Sequence, residues 1–343
     1  MAASIDVNDN PQSPSYPALS YLSKEIYPGQ GGSPFNVPVI WYGRPLGSAF
    51  PSPNSPKAIS QYHFSNNLKF NIAKDLNFEL SLTASEHENK HQRPDTIESR
   101  FEDAILGRGG PNGDEQWNIF LPLENSADLI DYIKGSETSL KTGSLLSLDG
   151  ILTGYKSGLN FALGFQFNSE DLEIYYADTS RAEFDEDGKL TKVADLLFLG
   201  GGKNVDTSRN KQAIFFETSK NFQDTLDLIL SGRYERLDNH SSFDPRISFQ
   251  YSTSDKFFLR GSYGTSFTAP SMAQMFSSEI QLGSVRDIND SPFVRLALLG
   301  NKNLKPATSE NINFGFRWSI TNEFDFTIDY WEIDYKNRIE VES

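Results

Sequence analysis

The sequence lacks several features that define whole classes of protein. It contains no cysteine, which excludes disulfide bonds, thiolate metal sites and cysteine nucleophiles. It has no run of about 18 apolar residues, and its mean hydropathy of −0.47 excludes a membrane-spanning helix but not a β-barrel, whose strands alternate. Basic residues are scarce: 31 against 46 acidic residues leave a net charge of −15, so nucleic acid is not an expected partner.

The 343 residues are rich in aromatic side chains, with 26 Phe, 14 Tyr and 4 Trp, as is typical of β-proteins. From residue 76 to residue 84 apolar and polar side chains alternate with a period of two, which indicates a strand with two different faces. The alternation recurs at 159–168, 246–251, 257–267, 311–320 and 324–330, and less regularly at 62–72, 141–153, 211–221 and 225–238. The sequence therefore predicts an all-β, antiparallel fold of about ten strands.

The connections between these strands have two lengths, which mostly alternate. Tight turns are expected at 73–75, 154–156, 222–224, 253–255 and 321–322. Long connections are expected at 87–140, 170–210 and 269–307, with a shorter one at 239–241. In an up-and-down sheet this order places all the turns at one end and all the loops at the other, as in a transmembrane β-barrel with short periplasmic turns and long extracellular loops. A soluble all-β repeat protein is the alternative.

The chain divides at residue 60 by its pattern. We expect an extracellular loop region over 1–60, with a short strand near 36–47, and a partial β-barrel domain over 61–343. The first ten residues carry no basic, apolar or cleavage segment of an export signal, and residues 338–343 stop while the alternation continues. We therefore expect a chain that is cut at both ends.

Several motifs resemble those of one family, the TonB-dependent outer-membrane receptors. Residues 260–276 (RGSYGTSFTAPSMAQMF) resemble the family's strand-to-loop signature, and residues 301–310 (NKNLKPATSE) resemble the motif that follows it, with Ala307 in place of the usual Glu. Further similar segments are 34–47, 107–111, 117–120, 128–133, 314–318 and 329–334. Some members have a cysteine pair around the Gly-Gly-Pro loop, whereas this chain has Asn112-Gly113 there, so that the loop must be held in another way.

The resemblance implies a 22-stranded barrel in the outer membrane of a Gram-negative bacterium, filled by an N-terminal plug domain. It also implies energy-coupled uptake of a scarce ligand, such as a ferric siderophore, cobalamin or an oligosaccharide, through contact of a TonB box with the TonB complex. No plug, TonB box or closing C-terminal strand is recognisable, so about ten strands would form an incomplete wall next to outer-membrane lipid. The resemblance implies neither catalysis nor a cofactor.

Four arginines are the candidate site residues. Arg233, Arg246, Arg260 and Arg317 occupy the polar face of four successive predicted strands. In a barrel this face lines the lumen. We expect the four side chains to form salt bridges with the plug rather than to contact the substrate directly, and the ligand-binding residues stay unassigned.

Three other motifs are interpreted as structural. The string His87-Glu88-Asn89-Lys90-His91 matches the zinc-protease pattern but follows a predicted strand, whereas that chemistry needs a helix. Residues 183–188 resemble the start of a calcium loop, yet the twelfth position is Ala194, so a turn at 187–188 is expected. Residues 200–202, three glycines, are interpreted as a flexible loop. No metal site is expected.

One helix is predicted, from Ser126 as the cap to Gly135 as the stop, within the first long connection. The leading hypothesis is thus part of a TonB-dependent receptor. The alternatives are a soluble or surface-attached all-β ligand-binding module and, less favoured, an outer-membrane protease or lipase that would need His87 or His91.

Overall fold

The computed structural model describes residues 2–12, 22–47, 49–238, 240–284, 293–321 and 323–341. The strands in these residues, in chain order, are β1 (Ala2–Pro11), β2 (Leu22–Ile26), β3 (Val39–Gly43), β4 (Asn54–Ala73), β5 (Leu76–Thr96), β6 (Lys134–Lys156), β7 (Leu159–Tyr176), β8 (Glu183–Phe184), β9 (Leu190–Lys192), β10 (Val205–Phe222), β11 (Leu226–Leu237), β12 (His240–Ser254), β13 (Phe257–Thr268), β14 (Glu279–Ser284), β15 (Phe293–Leu298), β16 (Ala307–Ser319) and β17 (Asp325–Lys336). The helices are α1 (Glu98–Ile105), α2 (Ala127–Ile133) and α3 (Met272–Phe276), with 3-10 turns at Pro122–Glu124 and Asp178–Ser180.

The main sheet contains eleven strands in the order β1-β4-β5-β6-β7-β10-β11-β12-β13-β16-β17. Every neighbouring pair is antiparallel. The pairs β2-β3, β8-β9 and β14-β15 form separate two-stranded sheets. The predicted all-β, antiparallel, up-and-down fold is therefore confirmed, and over the described part of the chain β1 and β17 are two edges that do not pair with each other.

Short turns and long connections occupy opposite ends of the sheet, as predicted, and the shorter link between β11 and β12 lies at the same end as the long connections. The described turns are residues 74–75, 157–158, 223–225 and 255–256, and the long connections are 97–133, 177–204 and 269–306. We call these the turn end and the loop end. Asp75, with a φ of 63°, and Gly158, with a φ of 79°, show the left-handed backbone that such tight turns require. The turn expected at 154–156 lies instead at 157–158, because β6 continues to Lys156.

The strands extend further toward the loop end than the sequence predicted. The loop expected at 87–140 is only 97–133, because β5 continues to Thr96 and β6 begins at Lys134. Residues 86–96 no longer alternate apolar with polar side chains, yet their backbone stays paired with β6 up to the pair Thr96 and Lys134. The apolar pattern therefore marks only the part of each strand that has one apolar face, and not the whole strand.

The apolar face of the sheet is exposed. Large side chains on this face are uncovered on several strands across the sheet, as shown by Leu163 (51% exposed), Ile214 (62%), Leu230 (40%) and Phe314 (48%). In a soluble two-layer protein such a face packs against a second sheet or a layer of helices. The main sheet of this protein buries none of these four residues.

The largest hydrophobic core lies at the loop end, between the long connections. It contains Ile26, Phe101, Ala104, Ile105, Trp117, Ile119, Leu129, Ile133, Leu197 and Phe198. Phe101 and Trp117 are fully buried and meet edge to face, with ring centroids 6.4 Å apart. We call the packed segments 22–47, 97–133, 177–204 and the described parts of 269–306 the cap.

The predicted helix at Ser126 is present as α2. The Ser126 side chain accepts a hydrogen bond from the backbone N–H of Leu129 at 3.0 Å, and the helix begins at Ala127. It ends at Ile133 and not at Gly135, since β6 starts at Lys134. Helices α1 and α3 were not predicted. Within the described residues, no helix has the length and apolar character needed to cross a bilayer.

The expected strand near 36–47 is β3, which pairs with β2. Strand β1 and the first residues of β4 also fall before residue 61, so that the main sheet begins earlier than the predicted division. The side of a membrane on which residues 1–60 lie stays a prediction. The loop around Asn112-Gly113 is held by two backbone hydrogen bonds between Gly109 and Glu115, of 2.8 and 3.0 Å, without any disulfide bond.

Candidate functional site

The four predicted arginines lie on one face of the sheet. Cross-strand partners and the two-residue repeat carry the same face from Arg233 on β11 to Arg246 on β12, Arg260 on β13 and Arg317 on β16. We call it the polar face. The sequence predicted this arrangement correctly because parity along each strand is sufficient to assign a side chain to a face.

Two of the arginines are paired with carboxylates of β17. Arg260 donates to both carboxylate oxygens of Asp329, at 2.9 and 2.6 Å. Arg317 Nη2 donates to Asp325 at 2.5 Å, and Asp325 also accepts from Ser319. The fork of a guanidinium matches the two oxygens of a carboxylate, which makes such a pair directional. These two arginines therefore connect the last strands of the sheet to one another.

Arg233 belongs to a network in the middle of the polar face. Its Nε donates to Glu235 at 2.9 Å and its Nη2 to Gln166 at 2.7 Å. Glu235 is only 6% exposed and also pairs with Lys211 at 2.9 Å. In contrast, the guanidinium of Arg246 has no hydrogen-bond or ion-pair partner in the described part of the chain. Of the four predicted residues, Arg246 is thus the one whose charge is uncompensated there.

The zinc-protease string lies on strand β5 and not in the expected loop. Its period places His87 and His91 on the polar face and Glu88 on the opposite face. A catalytic glutamate would have to lie beside the metal that both imidazoles bind, which this strand does not allow. His91 Nε2 lies 3.1 Å from Ser55 Oγ. The described residues contain no cluster of three or more histidine, aspartate or glutamate side chains placed to hold a metal ion.

The calcium-like segment forms the hairpin between β8 and β9. The Asp185 carboxylate accepts the backbone N–H groups of Asp187 at 3.1 Å and Lys189 at 2.8 Å. Gly188 has a φ of 80°. The expected turn is therefore present, and the Asp185 carboxylate of the motif stabilises it.

The three glycines at 200–202 were interpreted incorrectly. They are buried, and they permit close contact rather than flexibility. A Cβ on Gly201, whose φ is 64°, would lie 1.9 Å from the carbonyl oxygen of Ser180, and a Cβ on Gly200 would lie 2.2 Å from Ile280 Cγ2. The contacting atoms come from segments far away in the chain, so that no local pattern could reveal them.

Charged side chains on the polar face hold the cap at the loop end of β5 and β6. Asp95 is 7% exposed, and its carboxylate accepts the N–H groups of Thr96 at 2.6 Å, Leu199 at 2.6 Å and Phe198 at 3.2 Å. Burial raises the pKa of Asp95 to about 7, although the three N–H groups favour the charged form. Sequence reasoning missed this residue because its main partners follow about 100 positions later.

Glu137 repeats this arrangement on β6. It is 3% exposed, pairs with Arg93, and accepts the N–H of Gly201 at 2.9 Å. Arg295 on β15 contributes the opposite charge, because its guanidinium donates to the carbonyl oxygens of residues 196, 197 and 198 at 2.7, 2.8 and 3.1 Å. Three charged side chains from three strands thus satisfy the backbone of one irregular segment.

A second polar group joins the third long connection to the sheet. Glu279 Oε2 accepts from Lys141 Nζ at 2.9 Å and from the buried Tyr176 hydroxyl at 3.1 Å. Burial alone would raise the pKa of the Glu279 carboxyl, but Lys141 and the hydroxyl hold it below its ordinary value. Burial and the Glu279 carboxylate raise the pKa of Tyr176. The arrangement is a structural ion pair at the edge of the cap.

Comparison with known proteins gives a family and a fold. The sequence profile described as "TonB dependent receptor-like, beta-barrel" matches residues 6–343. No curated protein matches the sequence. The ferric enterobactin receptor PfeA of Pseudomonas aeruginosa superposes with a TM-score of 0.51 at 13% identity, over 82% of this chain and 35% of that one. The siderophore receptor PirA of Acinetobacter baumannii gives 0.51 at 17%, over 83% and 35%. The chain spans about a third of these solved chains, and the similarity is one of fold.

Proposed function

The chain belongs to the family of TonB-dependent receptor-like β-barrels, and on this premise we propose that it forms part of the wall of an outer-membrane receptor. The receptor takes up a scarce ligand with energy supplied by the TonB complex. Catalysis has no part in this function. The chain forms part of the barrel wall together with the cap. Contact with TonB is made through a plug domain that fills the lumen.

The observation that carries the proposal is the exposure of the apolar face. Ile214, Leu230 and Phe314 lie on three strands spread across the sheet and are 62%, 40% and 48% exposed. Outward apolar side chains that alternate with a polar face are the pattern of a strand between lipid and an aqueous lumen. In a bilayer these exposed apolar side chains contact lipid instead of water, so that their exposure is not destabilising. The polar face then lines the lumen.

The two ends of the sheet give the orientation. Outer-membrane barrels have short turns on the periplasmic side and long loops outside the cell. The turn end, at 74–75 and 157–158, is accordingly periplasmic, and the cap is extracellular. The localisation that we propose is the outer membrane of a Gram-negative bacterium, with lipid against the apolar face.

The ligand is proposed by class only: a ferric siderophore, cobalamin or an oligosaccharide. Of the receptors compared above, PfeA is a ferric enterobactin receptor and PirA is a siderophore receptor, which makes ferric siderophores the class to test first. Nucleic acid is not a partner of a chain with a net charge of −15.

An uptake assay tests the function. In the organism that makes the natural full-length protein, deletion of its gene should abolish energy-dependent accumulation of at least one member of a panel of radiolabelled ferric siderophores, cobalamin and oligosaccharides. Inactivating TonB should have the same effect as the deletion. Fractionation should place the protein in the outer membrane. Recovery in a soluble fraction, or accumulation that persists without TonB, would contradict the proposal.

We propose that the four arginines contact the plug. They differ in whether their charge is already paired with a carboxylate of the wall. Arg260 and Arg317 already bind carboxylates of the wall, and Arg233 already binds Glu235. A paired charge in a wet lumen has little left to offer a second partner. The guanidinium of Arg246, unpaired over the described residues, is the group that we assign to a carboxylate of the plug.

Replacement of Arg246 by glutamine should therefore lower uptake about tenfold, because a hydrogen bond to a charged partner contributes about 1.5 kcal/mol, close to a factor of ten. Arg317→Gln is the matched control: it removes a polar-face arginine whose partner lies within the wall, and it should change uptake less than about twofold. The measurement is initial uptake rate, with folded barrel quantified by its shift on unheated gels. Equal losses in the two variants would show that Arg246 has no special partner.

A further inference from the structure

The segment Asp195–Gly201 has an unusual position in the cap. It belongs to no helix or strand, yet its side chains are buried: Leu196 is 0% exposed, Leu199 3%, Phe198 7% and Leu197 8%. Irregular backbone is normally found at the surface, where water satisfies its polar groups. We call residues 195–201 the latch segment.

The side chains of the latch segment belong to two different hydrophobic clusters. Leu197 and Phe198 pack in the large core of the cap, with helices α1 and α2. Leu196 and Leu199 pack in a second cluster with Ile97 and Ala194, against Leu282 of β14. A seven-residue segment thus joins the first long connection to the third, and it contributes hydrophobic area to both sides.

The backbone of the latch segment is satisfied by side chains from outside it. Asp95 accepts the N–H groups of residues 198 and 199, Glu137 accepts that of residue 201, and Arg295 donates to three consecutive carbonyl oxygens. Toward α1, the Asp195 carboxylate accepts the backbone N–H and the hydroxyl of Ser99, at 2.8 and 2.6 Å.

This arrangement has a consequence for how the cap comes apart. Burying the charge of Asp95 is costly, and a buried carboxylate is retained where it specifies one arrangement of its neighbours. If the Asp95 carboxylate no longer accepts their hydrogen bonds, the N–H groups of residues 198 and 199 are left buried without partners. The latch segment then leaves its position. Each of the two hydrophobic clusters loses the side chains that the segment contributes to it.

We propose that the latch segment fastens the cap into one cooperative body, so that release of its backbone from Asp95 and Glu137 frees the long connections together. The sheet stays folded during this release, because its ladders do not depend on the latch. This inference goes beyond transport and does not require it. The cap would then behave as a single lid rather than as independently mobile loops.

Hydrogen exchange tests the proposal on the natural full-length protein in detergent or membranes. The peptides to follow contain the latch segment, α1, α2 and, as a reporter of the sheet, β7. In Asp95→Ala we expect the protection of the latch segment, α1 and α2 to fall by a similar factor of at least about tenfold, as a shared opening requires. Protection of β7 should change less than about twofold.

Asp185→Ala is the matched control. Like Asp95, Asp185 has a carboxylate that accepts backbone N–H groups. Asp185 lies in the second long connection, however, and the two N–H groups that it accepts belong to its own hairpin. Its removal should leave the protection of α1 and α2 unchanged. A fall confined to the latch segment in Asp95→Ala would overturn the proposal, as would no fall at all or an equal effect of Asp185→Ala.

A milder second variant covers the case in which Asp95→Ala does not fold. Glu137→Gln keeps the shape of the side chain but removes the negative charge that pairs with Arg93 and strengthens the hydrogen bond from Gly201. It should lower the protection of the latch segment and of α1 by the same factor while β7 stays protected. Loss confined to either segment, or loss that includes β7, would also overturn the proposal.

Discussion

Replacing Leu230 by arginine should prevent the protein from assembling in the outer membrane. Leu230 lies on the apolar face of β11, opposite Ile247 of β12, and is 40% exposed. It is the fifth residue of the strand, counted from the turn end, which places it near the middle of a bilayer that the strand crosses. Arginine on the lipid face at this depth costs about 2–4 kcal/mol.

The neighbouring substitution Ser231→Arg is the control, since it has the same charge and volume on the other face. Ser231 lies on the polar face between Glu217 of β10, which offers a partner for a new guanidinium, and Arg246 of β12, which repels it, and charges on a wet face contribute little individually. We expect it to assemble normally. The measurement is the amount of folded, heat-modifiable protein in outer membranes, which should fall at least about tenfold for Leu230→Arg alone.

This pair of variants separates the two classes of protein that the sequence left open. In a soluble all-β module, arginine at an exposed leucine would be harmless, because the new charge would lie in water. Normal assembly and full solubility of Leu230→Arg would therefore contradict the membrane wall and support the soluble module.

Truncating Phe101 to alanine should unfold the cap while the sheet persists. Phe101 is fully buried on α1 and meets Trp117 edge to face. Replacing a fully buried phenylalanine by alanine typically costs about 3–5 kcal/mol through lost burial and the cavity that remains. The cap is a small core, so that this is a large fraction of the stability it can have.

Leu123→Ala provides the comparison, since Leu123 belongs to the same long connection but is 66% exposed. Its loss should change stability by less than about 0.5 kcal/mol. Native-state proteolysis measures both, because cleavage in the 97–133 connection follows the population of the open cap. Equal cleavage rates in Phe101→Ala and in the unsubstituted protein would show that the cap does not depend on this core.

The alternation of side chains predicted the central part of each strand and very little beyond it. Residues 159–168 were assigned correctly because their outward side chains are uniformly apolar. Residues 87–96 were assigned to a loop because polar side chains lie on both faces of this part of the strand. Only long-range pairing with β4 and β6 shows that this part is a strand. Periodicity reports the surroundings of the side chain rather than the path of the backbone.

The candidate site could likewise be predicted from the sequence only in part. The common face of Arg233, Arg246, Arg260 and Arg317 follows from counting along strands whose faces are already known. The pairing of Arg260 and Arg317 could not be predicted, because Asp329 and Asp325 come next to them only through the register of β13, β16 and β17. Asp95, Glu137 and Arg295 carry no signal in the sequence, since each binds backbone groups of a segment 64 to 104 residues away.

The number of strands in the main sheet limits how the wall can be closed. Eleven is odd, and every neighbour is antiparallel, so that β1 and β17 point in the same direction. If these two edges met, or if two copies with the same orientation joined edge to edge, the seam would have to be parallel. A cylinder with antiparallel pairing all the way round needs an even total. Any strands that complete this wall in that manner must therefore be odd in number.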